Sequence, residues 1–148
     1  MEDFSNIDHG RTKKNYEKAI RKAERGDVDT MLLLGRAYSS GEYLPKDYLA
    51  AEAWLRKAAE LDCNEAKKEL AVLLNTGKGV ARDYEEAFDW NHDLMMDCDV
   101  DGMMAVGIAY KLGRGIWKDE RQGSLFIKHA FNIGLDLMDD EEKPSDGA

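Results

Sequence analysis

The chain repeats itself every 36 residues: Gly41, Gly77 and Gly113 share one phase, Asp47, Asp83 and Asp119 another, and Leu44, Val80 and Ile116 a third. A fixed period of this length marks a solenoid, in which one supersecondary unit, unable to bury its apolar face alone, is stacked on copies of itself. The recurrence predicts a solenoid, and the helical stripes within each copy make the expected fold all-α, an α-solenoid with about seven helices. Repeat arrays present surfaces, and what they bind is specified by residues that the repeat leaves variable.

Taken in order, residues 1–10 lack apolar periodicity and read as a flexible arm. Residues 11–26 form a leading half-repeat helix, with Tyr16, Ala19, Ile20 and Ala23 on one stripe and Gly26 as a left-handed stop. Repeat 1 covers 27–62: Asp27 or Asp29 caps a helix containing Met31, Leu34, Gly35 and Tyr38, and Asp47 caps a second with Ala51, Trp54, Ala58 and Leu61 facing inward. Repeat 2, 63–98, places Ala66, Leu70, Ala71 and Leu74 in its first helix and Ala87, Trp90 and Leu94 in its second, behind Asp83. Repeat 3, 99–134, carries Met103, Val106, Gly107 and Tyr110, then Gly123, Phe126 and Ala130 behind Asp119.

Trp54 and Trp90 are expected in the cores of their helix pairs, where truncation to Ala costs roughly 3 to 5 kcal/mol. Gly123 in a helix interior costs roughly 0.8 to 1 kcal/mol relative to Ala, unless two helices must approach closely there. Residues 135–148 hold Pro144 and, from Asp139 on, five acids against one lysine, and are expected to be a disordered acidic tail.

The formal charge of −9 argues against nucleic acid, which requires a concentrated basic face. No run approaches the 18 or more apolar residues of a membrane span, and Met1-Glu2-Asp3-Phe4 does not begin like a signal peptide. A cytoplasmic location, no membrane partner and a monomer are the resulting expectations. Cys63 and Cys98 read as two reduced thiols rather than a disulfide, since stacked repeats sit about 10 Å apart. His9 falls in the arm, and His92 and His129 fall on separate helices without Cys or Asp at ligand spacing, so no metal, cofactor or catalytic set is expected. Gly77-Lys78-Gly79 and Gly113-Arg114-Gly115 lack the spacing of a phosphate loop and read as turns.

The phase of Leu34-Gly35, Tyr38, Gly41, Leu44, Asp47, Ala51, Trp54 and Ala58-Ala59 resembles the Sel1-like repeat, a relative of the tetratricopeptide repeat. The second copy matches through Gly77, Gly79-Val80, Asp83-Tyr84, Ala87 and Trp90, and the third through Gly107, Tyr110, Gly113, Gly115-Ile116 and Asp119. The resemblance covers residues 28 to 134 and implies a right-handed superhelix of antiparallel helix pairs that serves as a non-enzymatic adaptor or scaffold for another protein. Ala71, Leu74 and Glu42-Tyr43 depart from the pattern, as do Gly123 and Phe126. Some secreted members carry a cysteine pair in each repeat and a penicillin-binding activity; the cysteines here stand singly, and that activity is not carried over.

In the stacking the resemblance implies, the first helix of each pair lines a concave face. The partner peptide or helix is then expected on Leu32, Arg36, Lys68, Val72, Met104, Ile108 and Lys111, an apolar strip with basic flanks. The alternative is a small acidic inhibitor or immunity-type protein that blocks a basic toxin enzyme with Glu52, Asp83, Glu85, Glu86 and Asp89.

Overall fold

An aspartate side chain starts most of the helices. Asp27 accepts from the Thr30 amide, Asp47 from those of Leu49 and Ala50, Asp83 from Glu86, Asp99 from Gly102 and Asp119 from Gln122, each satisfying a donor that the first helical turn leaves unpaired. Of the two candidates for the first cap, Asp27 takes the role. A computed structural model describes residues 9–141, with side chains over 13–138. Among these the helices are α1 (His9–Glu24), α2 (Val28–Ser40), α3 (Tyr48–Glu60), α4 (Asn64–Thr76), α5 (Tyr84–Met96), α6 (Val100–Leu112) and α7 (Glu120–Glu141), with no strand. The chain divides within α4 into a unit ending at Ala66 and a unit beginning at Lys67.

Helix ends follow the repeat as closely as helix starts. The amides of Asp47, Asp83 and Asp119 donate to the carbonyls of Tyr38, Leu74 and Tyr110, so each hairpin is closed by the same backbone bond. At the other end of each pair the amide of residue 27, 63 or 99 reaches back to Lys22, Ala58 or Leu94, across a residue in the left-handed region. That residue is Gly26, Asp62 (φ 67°) or Cys98 (φ 62°).

In the first unit α2 and α3 meet where Gly35 leaves room for Leu55: a Cβ on Gly35 would stand 2.7 Å from Leu55 Cγ. Leu55 is completely buried with Ala51, Ala58 and Ala23. The expectation for the tryptophans is corrected here. Trp54 is only half-buried, with Lys57 Nζ 4.7 Å from its ring centre, and Leu55 fills the core instead.

In the second unit Leu70, Leu74, Leu94 and Val106 form the interior. Trp90 is likewise half-buried and donates its indole N–H to Glu86 Oε1 at 3.3 Å. Lys67, which no apolar pattern anticipates, is 2 % exposed on the same side of α4 as Leu70 and Leu74, with its Nζ 2.7 Å from Asp93 and 4.0 Å from Asp97 on α5. Helices α6 and α7 cross at paired glycines. A Cβ on Gly123 would lie 2.5 Å from the Gly107 carbonyl oxygen and from Lys111 Cγ, so the glycine of the third repeat is required by close approach. Around it Phe88, Tyr110 and Phe126 make a ladder across α5, α6 and α7, each step 5.8 Å between ring centres.

Two boundaries differ from the sequence reading. Helix α1 begins at His9, inside the arm expected over 1–10, and α7 continues to Glu141, seven residues into the tail expected over 135–148. Gly134 stands at the phase of Gly26, Asp62 and Cys98 but lies inside α7, without the left-handed backbone of those three. The remainder of the expected arm and tail, residues 1–8 and 142–148, lies outside the described residues.

Candidate functional site

Each first helix shows one stripe to solvent. On α2 it runs through Asp29, Leu33, Arg36 and Ser40, and on α6 through Asp101, Ile108 and Leu112, at the three- and four-residue steps that keep one helix face aligned. Val72 and Thr76 hold the same phase on α4 and are exposed.

Of the seven residues expected on a concave face, Arg36, Val72, Ile108 and Lys111 are exposed. The other three share a phase that turns away from the stripe. Leu32 is half-buried. Lys68 is held 2.9 Å from Asp99 and 3.0 Å from Asp101 at the start of α6. Met104 lines an apolar hollow against Ala130, Phe131 and Leu135 of α7. The open position lies one residue further on: Leu33 is 63 % exposed.

The Lys68 cluster has a defined electrostatic character. Burial raises the Asp99 carboxyl, but the hydrogen bond from Lys68 and the amide of Gly102 outweigh it and hold the group below the usual carboxylate range. The Lys68 ammonium is raised in turn, first by its hydrogen bond to Asp99. This lysine is committed to joining α4 to α6.

The second unit exposes its largest apolar group beyond α6. Trp117 is 91 % exposed, and with Leu112 (53 %), Ile116 and Tyr84 it lines a hollow of about 760 Å³. Arg82 and Arg114 lie 5.4 and 5.2 Å from the Tyr84 ring centre, within cation–π range. Ile108, 43 % exposed, joins Arg114, Phe88 and Asn91 around a second hollow of about 180 Å³. Ile108, Leu112 and Trp117 thus mark an uncovered apolar path with Lys111, Arg114 and Lys118 beside it. Trp117 escaped the sequence reading because Pro45 and Ala81 hold its phase in the other repeats, so the repeat gives no sign of it.

The acidic set of the alternative reading is largely engaged in the fold. Glu52 accepts from Arg56 at 2.7 Å, Asp83 caps α5, and Glu86 accepts from Trp90. Among the described residues no three His, Cys, Asp or Glu side chains gather as metal ligands, and no helix is long and apolar enough to cross a membrane. Both cysteines are free thiols, Cys63 half-buried and Cys98 exposed. They are not at equivalent positions, for Cys63 shares its phase with Asp27 and Asp99, and Cys98 with Asp62.

Paired helices closed by the same bonds every 36 residues define an all-α solenoid of short repeats. The Sel1 repeat model matches residues 7–21, 28–63 and 64–90, and the chain belongs to the Sel1 repeat family. It is 31 % identical over 120 residues to the Sel1-repeat-containing protein YjcO of Escherichia coli K12, covering 78 % of this chain and 52 % of that one. The chain therefore spans about half the length of the curated relatives it matches. Among solved structures it is similar to a protective antigen of uropathogenic Escherichia coli displaying an SLR fold, with TM-score 0.74, 29 % identity, and coverage of 80 % of this chain and 26 % of that one. A Sel1 repeat protein from Oxalobacter formigenes gives TM-score 0.73 at 27 % identity, over 78 % of this chain and 48 % of that chain. Cysteine rich protein B of Helicobacter pylori shares the fold at TM-score 0.57 and 22 % identity, over 84 % and 89 % of the two chains.

Proposed function

We propose that this protein is a non-enzymatic interaction module, an adaptor whose exposed first-helix stripe receives a peptide or helix of a partner protein. Sel1 repeats generally mediate protein–protein interaction and serve as scaffolds without catalysis of their own. The observation that carries the reading is the path from Ile108 through Leu112 to Trp117. Three large apolar side chains lie uncovered in succession, and an exposed tryptophan sharing a hollow with Tyr84 and Arg82 has the composition of a binding hot spot. In the second unit Val72, Ile108 and Lys111 belong to the proposed surface, together with Leu112 and Trp117, while Lys68 and Met104 are half-buried; in the first unit Arg36 and Leu33 lie on the open face of α2, and Leu32 is half-buried.

The test is capture of partners from the source cell by wild type beside Leu112→Asp/Trp117→Ser. Both positions are exposed, so the double variant is expected to keep its melting curve while losing the partner. A partner retained by the variant, or released from both proteins by moderate salt alone, would move the working surface elsewhere.

A further inference from the structure

The first unit contains a groove with a chemistry of its own. Tyr16 and Ala19 of α1, Leu33 and Ala37 of α2, and Tyr43 and Leu44 of the following turn enclose about 400 Å³ of mainly apolar space. The groove belongs to the repeat. Phe88, Asn91, Ala105 and Ala109, each 72 residues further on, line the hollow of about 180 Å³ in the second unit.

Two features of the first groove do not belong to the repeat. Tyr43 stands where Gly79 and Gly115 stand in the later copies. Those glycines are left-handed and Tyr43 is not, so the first turn follows another path and leaves the ring 74 % exposed. The second feature is charge. From Lys13 to Arg25 six basic residues stand against two acidic ones, in a chain whose formal charge is −9. Lys14, Lys18 and Lys22 recur every four residues, an exposed row on the flank of α1 adjoining Asn15 and Ala19. Like charges at that spacing weaken a helix by a few tenths of a kcal/mol per pair. The repeat does not ask for them, since Glu86, Trp90 and Leu94 hold the same phases in α5. Lys22 is partly offset by Asp27 at 3.2 Å.

We propose that the groove between α1 and α2 docks an acidic segment of a partner protein, whose aromatic or long aliphatic anchor enters beside Leu33 and Tyr43 while its carboxylates meet Lys14 and Lys18. The proposal rests on the interaction-module reading and names the partner's chemistry for one of its surfaces. Apolar walls supply the contact area, and a basic row on an otherwise acidic chain supplies the selectivity for negative ligands. An anionic bilayer offers the same charge, but the apolar surface here is recessed between two helices and fits an inserted side chain better than a lipid plane.

The experiment is selection of a random displayed peptide library on the whole chain, followed by binding of the enriched peptides to Leu33→Asp, Tyr43→Ser, Lys14→Glu/Lys18→Glu and Leu112→Asp/Trp117→Ser. All these sites are exposed, and circular dichroism melting identifies any variant that fails to fold. The expected peptides combine one large apolar residue with clustered Asp or Glu. Their affinity falls about tenfold in the lysine double variant and falls further with added salt. Neutral or basic consensus peptides, binding indifferent to Leu33 and Tyr43, or no enrichment at all would overturn the proposal. Peptides that depend on Trp117 alone would remove this groove and leave the interaction-module reading standing. Sedimentation with phosphatidylglycerol vesicles, lost in Leu33→Asp and unaccompanied by peptide enrichment, would assign the face to a bilayer and overturn it as well.

Discussion

Gly123 and Gly134 lie in the same helix and make opposite predictions for the same substitution. An alanine in a helix interior gains about 1 kcal/mol over glycine through backbone entropy alone. At Gly134 nothing lies within 4 Å of the added methyl, so Gly134→Ala should realise that gain. At Gly123 the methyl would stand 2.5 Å from the Gly107 carbonyl oxygen, where ordinary contact begins at 3.4 Å, and from the Lys111 backbone nitrogen at 2.9 Å. Backbone cannot rotate aside, so α7 must withdraw from α6 by several tenths of an ångström. A gap of that size forfeits a quarter to a half of the dispersion attraction across the contact. With Val106 and Ala130 fully buried nearby, the overpacking cost is about 2 to 3 kcal/mol, and the net loss about 1 to 2 kcal/mol after the propensity gain. Urea unfolding followed by circular dichroism measures both, and melting temperatures should separate in opposite directions by about 2 to 4 °C per kcal/mol. A Gly123→Ala protein as stable as wild type would refute the close crossing of α6 and α7.

Leu55→Ala should cost about 3 to 5 kcal/mol, more than Trp54→Ala, because Leu55 is wholly buried and Trp54 only half so; thermal melts of the pair decide the order. Cys63 precedes α4 at the phase where Asp27 and Asp99 cap their helices, so Cys63→Asp should add about 1 kcal/mol, read by the same melts. Cys98→Gly should add about 1 kcal/mol by relieving the left-handed backbone, measurable by urea unfolding. The folded-state carboxyl of Asp99 is lowered, so its contribution is complete above the ordinary carboxylate range and is lost as pH falls through the folded value; the raised Lys68 contributes below its ordinary range and is lost as pH rises through its folded value. Lys68→Met should therefore flatten both limbs of a stability-versus-pH curve.

Caps and hairpin closures were legible because their determinants are local. Asp47, Asp83 and Asp119 each bond to amides two or three residues away, and a repeat shows such a residue three times. The open stripe was harder to read. Neighbouring helical residues differ by about 100° around the axis, and Leu32-Leu33-Leu34 offers no polar contrast to choose among them. Leu32, Lys68 and Met104, at the phase chosen from the sequence, are half-buried, and the exposed leucine of the three is Leu33. The tryptophans misled in the other direction, since ring size suggested burial while the smaller Leu55 matched the notch at Gly35. Gly134 carries the same local signal for a turn as Gly26, yet α7 runs through it, and free space does not separate the two, since an added Cβ would meet nothing within 4 Å at either.

The buried ammonium of Lys67 bears on how nearly identical units find their proper neighbours. At its phase the other repeats carry Met31 and Met103, which fit any apolar socket. Lys67 fits only where two carboxylates wait, and Asp93 and Asp97 have Lys57 and Leu61, or His129 and Ile133, as their counterparts. Set against either of those pairs, the lysine would lose its partners at a penalty of about 3 to 5 kcal/mol. One charge thus gives the central pair an address, and a chain misassembled by one whole repeat is discouraged by electrostatics where apolar packing alone would tolerate it.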